Sequence, residues 1–308
     1  MVRCLSRRVF ARFLFTYDRR RDVNEGTDLG GHGGCHLSRQ FNQITAPDPS
    51  GKRVFAGSAD YDLMRRQSMA EVNAAVEGSL AAGATEVVVT AAHGHSGRAI
   101  LPRDLHPAAS LISGVKPLLM VQGIDSTFAA AIFTGYHAAA NTPGAVLGHT
   151  YSLSVVEARL NGQIVGEGGF NAAVVGHFGV PVAMVTGDDK VYAELKALLG
   201  PQLVGVVVKE GIGVLAAKHI HPDRAVSAIR EAAERAIRGA GAMKPLRVQT
   251  PVRLEVDLQT CAHADVCEFI PGIDRAGRRT VAYTGKDMLD VMRAFNAIKL
   301  LQDPFLMP

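Results

Sequence analysis

The stretch SMAEVNAAVEGSLAAGATEVVVTAAHGH (residues 68–95) decides the fold. Its first half, 68–82, carries apolar residues at helical spacing and stops at Gly83, a residue suited to the left-handed backbone at a helix end. Its second half contains a continuous β-branched run over 86–90, the pattern of a strand buried on both faces. His93 follows within a glycine-containing turn. A helix feeding a doubly buried strand, with a polar side chain at the strand's end, is the repeating unit of layered α/β proteins whose sites lie at strand C-termini.

The same alternation continues outward. Residues 116–122 and 130–135 are further apolar runs, and 152–161 with 163–166 read as a hairpin closed by Asn161-Gly162. Helices are expected over 168–176, 192–199 and 221–239, the last starting near Pro222. Strands are expected over 180–186, ending at Gly187-Asp188-Asp189, and over 204–209. After Gly239 the character changes to alternating strands at 245–258 and 278–283, then a helix at 285–301. The expectation is an α/β protein: a three-layer α/β/α body with a mostly parallel or mixed sheet, plus a smaller α+β C-terminal subdomain. The expected division is an atypical Arg-rich segment at 1–26, the main α/β domain at 27–200 and a smaller C-terminal α/β subdomain at 201–308. Residues 46–60 read as a Pro/Gly/Ser-rich loop.

Composition narrows the function. The 308-residue chain is 47% hydrophobic and 20% charged, enough for a substantial core. It has no apolar run of about 18 residues, so no membrane span is expected. The net charge of +4 is crowded into Arg3, Arg7, Arg8, Arg12 and Arg19 to Arg21, which leaves the body balanced and argues against a nucleic-acid surface. Cys4, Cys35, Cys261 and Cys267 are too scattered for a disulfide framework. Cys261 and Cys267 bracket His263 and Asp265 without a zinc-knuckle spacing, and 261–267 reads as an ordinary surface segment. With no secretory leader, a cytoplasmic location is expected.

Four residues carry the chemistry. His93, His137, His149 and Glu167 lie in VVVTAAHGH (87–95), AIFTGYHAAA (131–140), VLGHTYS (146–152) and IVGEGGFNAA (164–173). Neutral imidazoles and a carboxylate at strand ends are what zinc takes as ligands. A buried acid beside Gly168-Gly169 gains little structurally unless it has a partner, and a metal is a good one. The residues alone leave a metal site and a packing role both open. His36, His106, His177, His219 and His221 read as solvated or packing residues. The glycine-rich 26–34 lacks the lysine and hydroxyl of a phosphate loop.

At these positions the chain resembles the zinc-dependent D-aminopeptidase family associated with bacterial dipeptide-transport operons. The similarity runs from about Tyr61 to Leu301. It is dense in MAEVNAA, LHPAASLISGVKPLLMVQGID, TGYHAAANTPGAVLGHT, LNGQIVGEGGFNAAV, VPVAMVTGDDK and GKDMLDVM. The resemblance implies two zinc ions per subunit sharing a bridging aspartate, which falls on Asp28, with His93, His137 and Glu167 as further metal ligands. It makes His149 the catalytic histidine, and Asn171, Asp188 and Lys209 candidate supporting or substrate groups. It also implies short D-residue-containing peptides as substrates and a ring-like homo-oligomer such as a decamer.

The pattern departs at the N-terminal side. Gly30 stands where the family's second carboxylate ligand is expected, Ala91 where an aspartate is, and Gly97 and Arg98 where asparagines are. Residues 1–26 show no apolar first strand to deliver Asp28 and read as a shifted frame or misplaced start. An alternative register uses Asp22 and Glu25, and His32 or His95 are candidates to replace the missing ligand. Gly30 favours a degenerate member holding at most one zinc, or a one-metal amide hydrolase. The intact His93, His137, His149 and Glu167 favour the peptidase.

Overall fold

In the computed structural model, residues 7–13, 59–91, 100–114 and 116–302 are described. The chain runs β1 (Arg7–Phe13), α1 (Ala59–Ala81), β2 (Ala84–Ala91), β3 (Ala109–Ile112) and β4 (Phe128–Tyr136). It continues through β5 (Val155–Leu160), β6 (Gln163–Ile164), α2 (Glu167–His177), β7 (Val182–Asp188), α3 (Asp189–Leu199), β8 (Val204–Gly213), β9 (Ala216–His219) and α4 (Pro222–Gly239). It ends with β10 (Val252–Leu258), α5 (Cys261–Cys267), β11 (Ile273–Arg275), β12 (Thr280–Gly285) and α6 (Met288–Gln302).

The larger sheet has the order β3-β2-β1-β4-β7-β8-β9. Every pairing in it is parallel except β8 with β9. The β-branched run of β2 shows why it is double-faced: Val87 and Val89 enter one core while Val88 enters the other. β4 does the same, with Ala130 and Ile132 on one side and Ala131 and Phe133 on the other. A period-two backbone sends neighbours to opposite faces, so a strand apolar at every position needs a layer on each side. One layer is α1 packed with α4, through Val72, Val76, Ile229 and Ala233. The other holds α2 and α3, through Phe170, Val174, Val191 and Leu195.

The smaller sheet has the order β11-β12-β10-β5-β6 and is antiparallel. It shares the core of α2 and α3, and Phe170 of α2 meets Phe295 of α6 with ring centroids 4.9 Å apart. β5 and β6 come from the middle of the chain, and β8 and β9, beyond residue 200, belong to the larger sheet. The two sheets therefore interleave along the sequence. The Asn161-Gly162 turn closes β5 and β6 as expected, with φ of 48° and 81°.

Three expectations need correction. Residues 1–26 do contain a first strand: β1 lies between β2 and β4, parallel to both. Arginines on either side of the short β-forming run Val9-Phe10-Ala11 hide it from a reading keyed to continuous apolar character. The loop expected at 46–60 overlaps α1, which takes in Ala59 and Asp60, and the rest of it lies outside the described residues. The segment 261–267 is a helix capped by Thr260, with His263 and Cys267 buried, where a surface segment was expected. A short alternating sequence suits a helix when its buried positions fall three to four residues apart.

Candidate metal centre

β1, β2 and β4 run parallel, so their C-terminal ends, Phe13, Ala91 and Tyr136, share one edge of the sheet. Three of the expected site residues converge there. His137 is the first residue past β4, His149 lies in the following loop, and Glu167 opens α2. All three are buried, Glu167 to 1% exposure. Their ligand atoms lie within 4.8 Å of one another, the single such convergence of His, Cys, Asp or Glu among the described residues. Asp28, His93, Gly30, His32, His95 and the alternative pair Asp22 and Glu25 lie outside the described residues.

The hydrogen bonds set the chemistry. Nδ1 of His149 is 2.7 Å from the Leu147 carbonyl, and Nδ1 of His137 is 3.0 Å from the Ala138 carbonyl. A carbonyl only accepts, so each Nδ1 carries a proton, and in the neutral form of each ring the lone pair of Nε2 turns inward. Those lone pairs meet a carboxylate: Nε2 of His149 and of His137 lie 3.3 and 3.5 Å from Oε1 of Glu167. The two rings stack with centroids 3.9 Å apart. Oε1 is held by the Tyr151 backbone N–H at 2.8 Å, while Oε2 of Glu167 and Nε2 of His137 have no hydrogen-bond partner.

Three acceptors facing one another in a buried corner need a positive charge between them. With protons alone the cost falls unevenly. Burial pushes Glu167 up, but His137, His149 and the Tyr151 amide outweigh it and hold the carboxyl at about 2. Burial lowers His137, and Glu167 more than reverses this, leaving it above its ordinary value. Burial and the neighbouring His137 bring His149 down to about 4. A zinc ion held by His137 and Glu167 beside His149 would supply the positive charge this corner lacks. Nε2 of His137 and Oε1 of Glu167, 3.5 Å apart, are near enough for both to ligate one zinc ion, whose bonds to nitrogen and oxygen are about 2.0–2.2 Å long. The residues present fit a zinc ion.

The surroundings hold this corner in place. Asp188 caps α3 through the Val191 N–H at 2.8 Å, and its other oxygen takes the Val146 N–H at 2.7 Å, fixing the loop that carries His149. The Leu147 N–H donates to the Val214 carbonyl at 3.0 Å, tying that loop to the β8–β9 hairpin. Asn171, one turn after Glu167, accepts from the Tyr151 hydroxyl at 2.7 Å and so steadies the residue whose amide holds Glu167. Lys209 pairs in register with Asp188, and burial lowers it against the opposing fields of Glu71 and Asp188. His106, His177, His219 and His221 are not part of that cluster, and His36 lies outside the described residues.

Two contributors were missed from sequence. Tyr151 acts through its backbone amide, which no side-chain pattern announces. Glu194 lies on α3, where a lone acid reads as a solvated helix face, yet it accepts from the Ala139 N–H at 2.8 Å.

A doubly wound α/β body with a buried histidine–carboxylate corner at the C-terminal edge of its parallel strands is the architecture of a metal-dependent enzyme. The family model for D-aminopeptidase matches residues 49–297, and the chain belongs to that family. A D-aminopeptidase of Bacillus subtilis (strain 168) is 35% identical over 248 residues, covering 80% of this chain and 89% of that protein. A solved structure described as the Zn-dependent D-aminopeptidase DppA from Bacillus subtilis, a self-compartmentalizing protease, superposes with a TM-score of 0.79 at 30% identity. That match covers 95% of this chain and 97% of the other.

Proposed function

We propose that this chain is a zinc-dependent aminopeptidase that releases N-terminal D-residues, such as D-Ala, from short peptides or amides. The observation that carries it is the buried meeting of His137, His149 and Glu167, with Nε2 of His137 and Oε2 of Glu167 left without a hydrogen-bond partner. Family membership and the zinc-dependent relative support both the metal and the D-preference. We assign His137 and Glu167, with Asp28 and His93, to the metal and His149 to proton transfer.

When bound, zinc supplies a positive charge that polarises the scissile carbonyl and acidifies water. The protein does the rest. The Ala138 carbonyl and the Tyr151 amide fix the directions of His137 and Glu167, so neither reorganises as charge develops. The Leu147 carbonyl locks the proton on Nδ1 of His149, which leaves Nε2 free to take a proton from the attacking water and pass it to the leaving nitrogen. The self-compartmentalizing relative supports a homo-oligomer, which we take to be ring-like, such as a decamer; a cytoplasmic location is part of the same proposal. Among the described residues no helix is long and apolar enough to cross a membrane.

Gly30 favours a second reading in which one zinc binds, because the expected second carboxylate is absent from the sequence. The test is hydrolysis of D-alanyl and L-alanyl p-nitroanilides by zinc-loaded protein, alongside elemental analysis of zinc per chain. Cleavage of the D-substrate with two zincs supports the full peptidase, and cleavage with one supports the one-metal form. A folded, zinc-loaded chain that leaves the D-substrate intact, or prefers the L-substrate, overturns the proposal.

A further inference from the structure

We infer that Glu194 is a positioning residue of this site, clamping the strand end that carries His137 against the turn that presents Glu167. This rests on the proposed function, since it takes His137 and Glu167 as the groups that must be held. The geometry is specific. Oε2 of Glu194 accepts the Ala139 N–H at 2.8 Å, two residues past His137. Its Oε1 is buried and lies against Gly166, the N-cap residue immediately before Glu167.

The close approach explains the glycine. A Cβ added at Gly166 would stand 2.7 Å from Oε1 of Glu194 and 2.9 Å from both Cα and N of Ala139. Three segments therefore meet at a point with no room for a side chain: the exit of β4, the entry to α2, and the middle of α3. The φ of Gly166 is −85°, so its requirement is space, not a left-handed backbone. Burial raises the Glu194 carboxyl, opposed by the backbone of Ala139 and Gly166 and by the charge of His137. α3 and its N-cap thus hold the site twice, through Asp188 on the His149 loop and through Glu194 on Ala139 and beside Gly166, the neighbours of His137 and Glu167.

A merely structural acid at this position would affect stability alone. A positioning role also moves metal affinity and the balance between kcat and KM. Glu194→Gln keeps the size and one acceptor but turns an amide nitrogen toward backbone that faced oxygen. It is expected to fold with an unchanged circular-dichroism spectrum and to lose about tenfold in zinc affinity, measured by competition with a chromophoric chelator. Glu194→Ala, with no acceptor, is expected to lose up to about 100-fold in zinc affinity and kcat, with KM for D-alanyl p-nitroanilide nearly unchanged. Glu194→Gln with native zinc affinity overturns the inference, whether or not Glu194→Ala folds. Zinc affinity needs no turnover, so a chain that binds zinc but cleaves no D-alanyl amide sinks the functional proposal and leaves the Glu194 result standing.

Discussion

Two charged clusters of this protein make opposite use of the same kinds of side chain. On the smaller sheet, Arg159 of β5 contacts Glu157, lies 3.1 Å from Asp257 and 3.5 Å from Glu255, and is about one-fifth exposed. Thr280 donates to Asp257 at 2.7 Å, and Arg253 sits 3.4 Å from Glu255. Every acceptor there faces a donor, and the hydrogen bonds to Asp257 and Glu157 raise Arg159 against its burial. At the edge of the larger sheet, His137, His149 and Glu167 are more deeply buried and face one another as acceptors. The first cluster is complete in itself. The second leaves Nε2 of His137 and Oε2 of Glu167 without a hydrogen-bond partner, and that incompleteness marks it as a site.

The largest break in this contrast comes from Glu167→Gln. It replaces the carboxylate with a neutral amide of the same shape, so the metal assigned to His137 and Glu167 loses an anionic ligand. Zinc affinity and kcat/KM are expected to fall by at least about 100-fold, since ligand loss costs no less than loss of its supporting contacts. Retention of native zinc content would refute the assignment of Glu167. Next in size is Asp188→Asn, which offers one acceptor where two backbone amides need two. It is expected to cost about 1–3 kcal/mol of stability and, through the displaced His149 loop, about 10–100-fold in kcat with a smaller change in KM. Loss of stability with native kcat would place Asp188 in the fold alone.

The contrast also explains what the sequence made legible. The double-faced strands were readable because a run such as Val87-Val88-Val89 has one physical solution, burial on both sides. His137, His149 and Glu167 were readable because polar residues at strand ends stand out against apolar neighbours. Their convergence was not, since it depends on α2 starting at Glu167 and on the loop to His149 turning through Leu147 at φ 55°. Glu194 and the Tyr151 amide were invisible for a different reason: one is an ordinary helical acid and the other a backbone group. β1 was hidden because its arginines outweighed its short apolar run, and the sheet pairs it through backbone. The middle-chain origin of β5 and β6 in the smaller sheet depends on pairing across about 100 residues, which no local pattern records.

A pH experiment on the chelator-treated chain sharpens the comparison further. His149 is lowered to about 4 from an ordinary value of 6.5. As pH falls between those values the unfolded chain binds a proton that the folded chain refuses, so stability is lost on acidification. His137 is raised, so its contribution is present below 6.5 and is lost as pH rises through its folded value. For these two groups the melting temperature of metal-free protein is expected to peak near pH 6.5 and decline on both sides. His149→Gln is expected to flatten the acid limb and His137→Gln the alkaline limb, by calorimetry. A profile in which neither variant alters its limb would show that the two imidazoles do not sit in the fields described.

Arg159→Ala should do least. The residue lies in a network of three carboxylates near the surface, where solvent screens each pair and the neighbouring Arg253 and Thr280 continue to serve Glu255 and Asp257. Exposed pairs of this kind contribute about 0.2–1 kcal/mol, so the melting temperature is expected to drop slightly and zinc content and kcat to stay at native values. The cluster's sheet shares an apolar core with α2 and α6. A large fall in zinc affinity in Arg159→Ala would mean that charge on the smaller sheet reaches the metal corner, and that a complete cluster and an incomplete one are not separable in this fold.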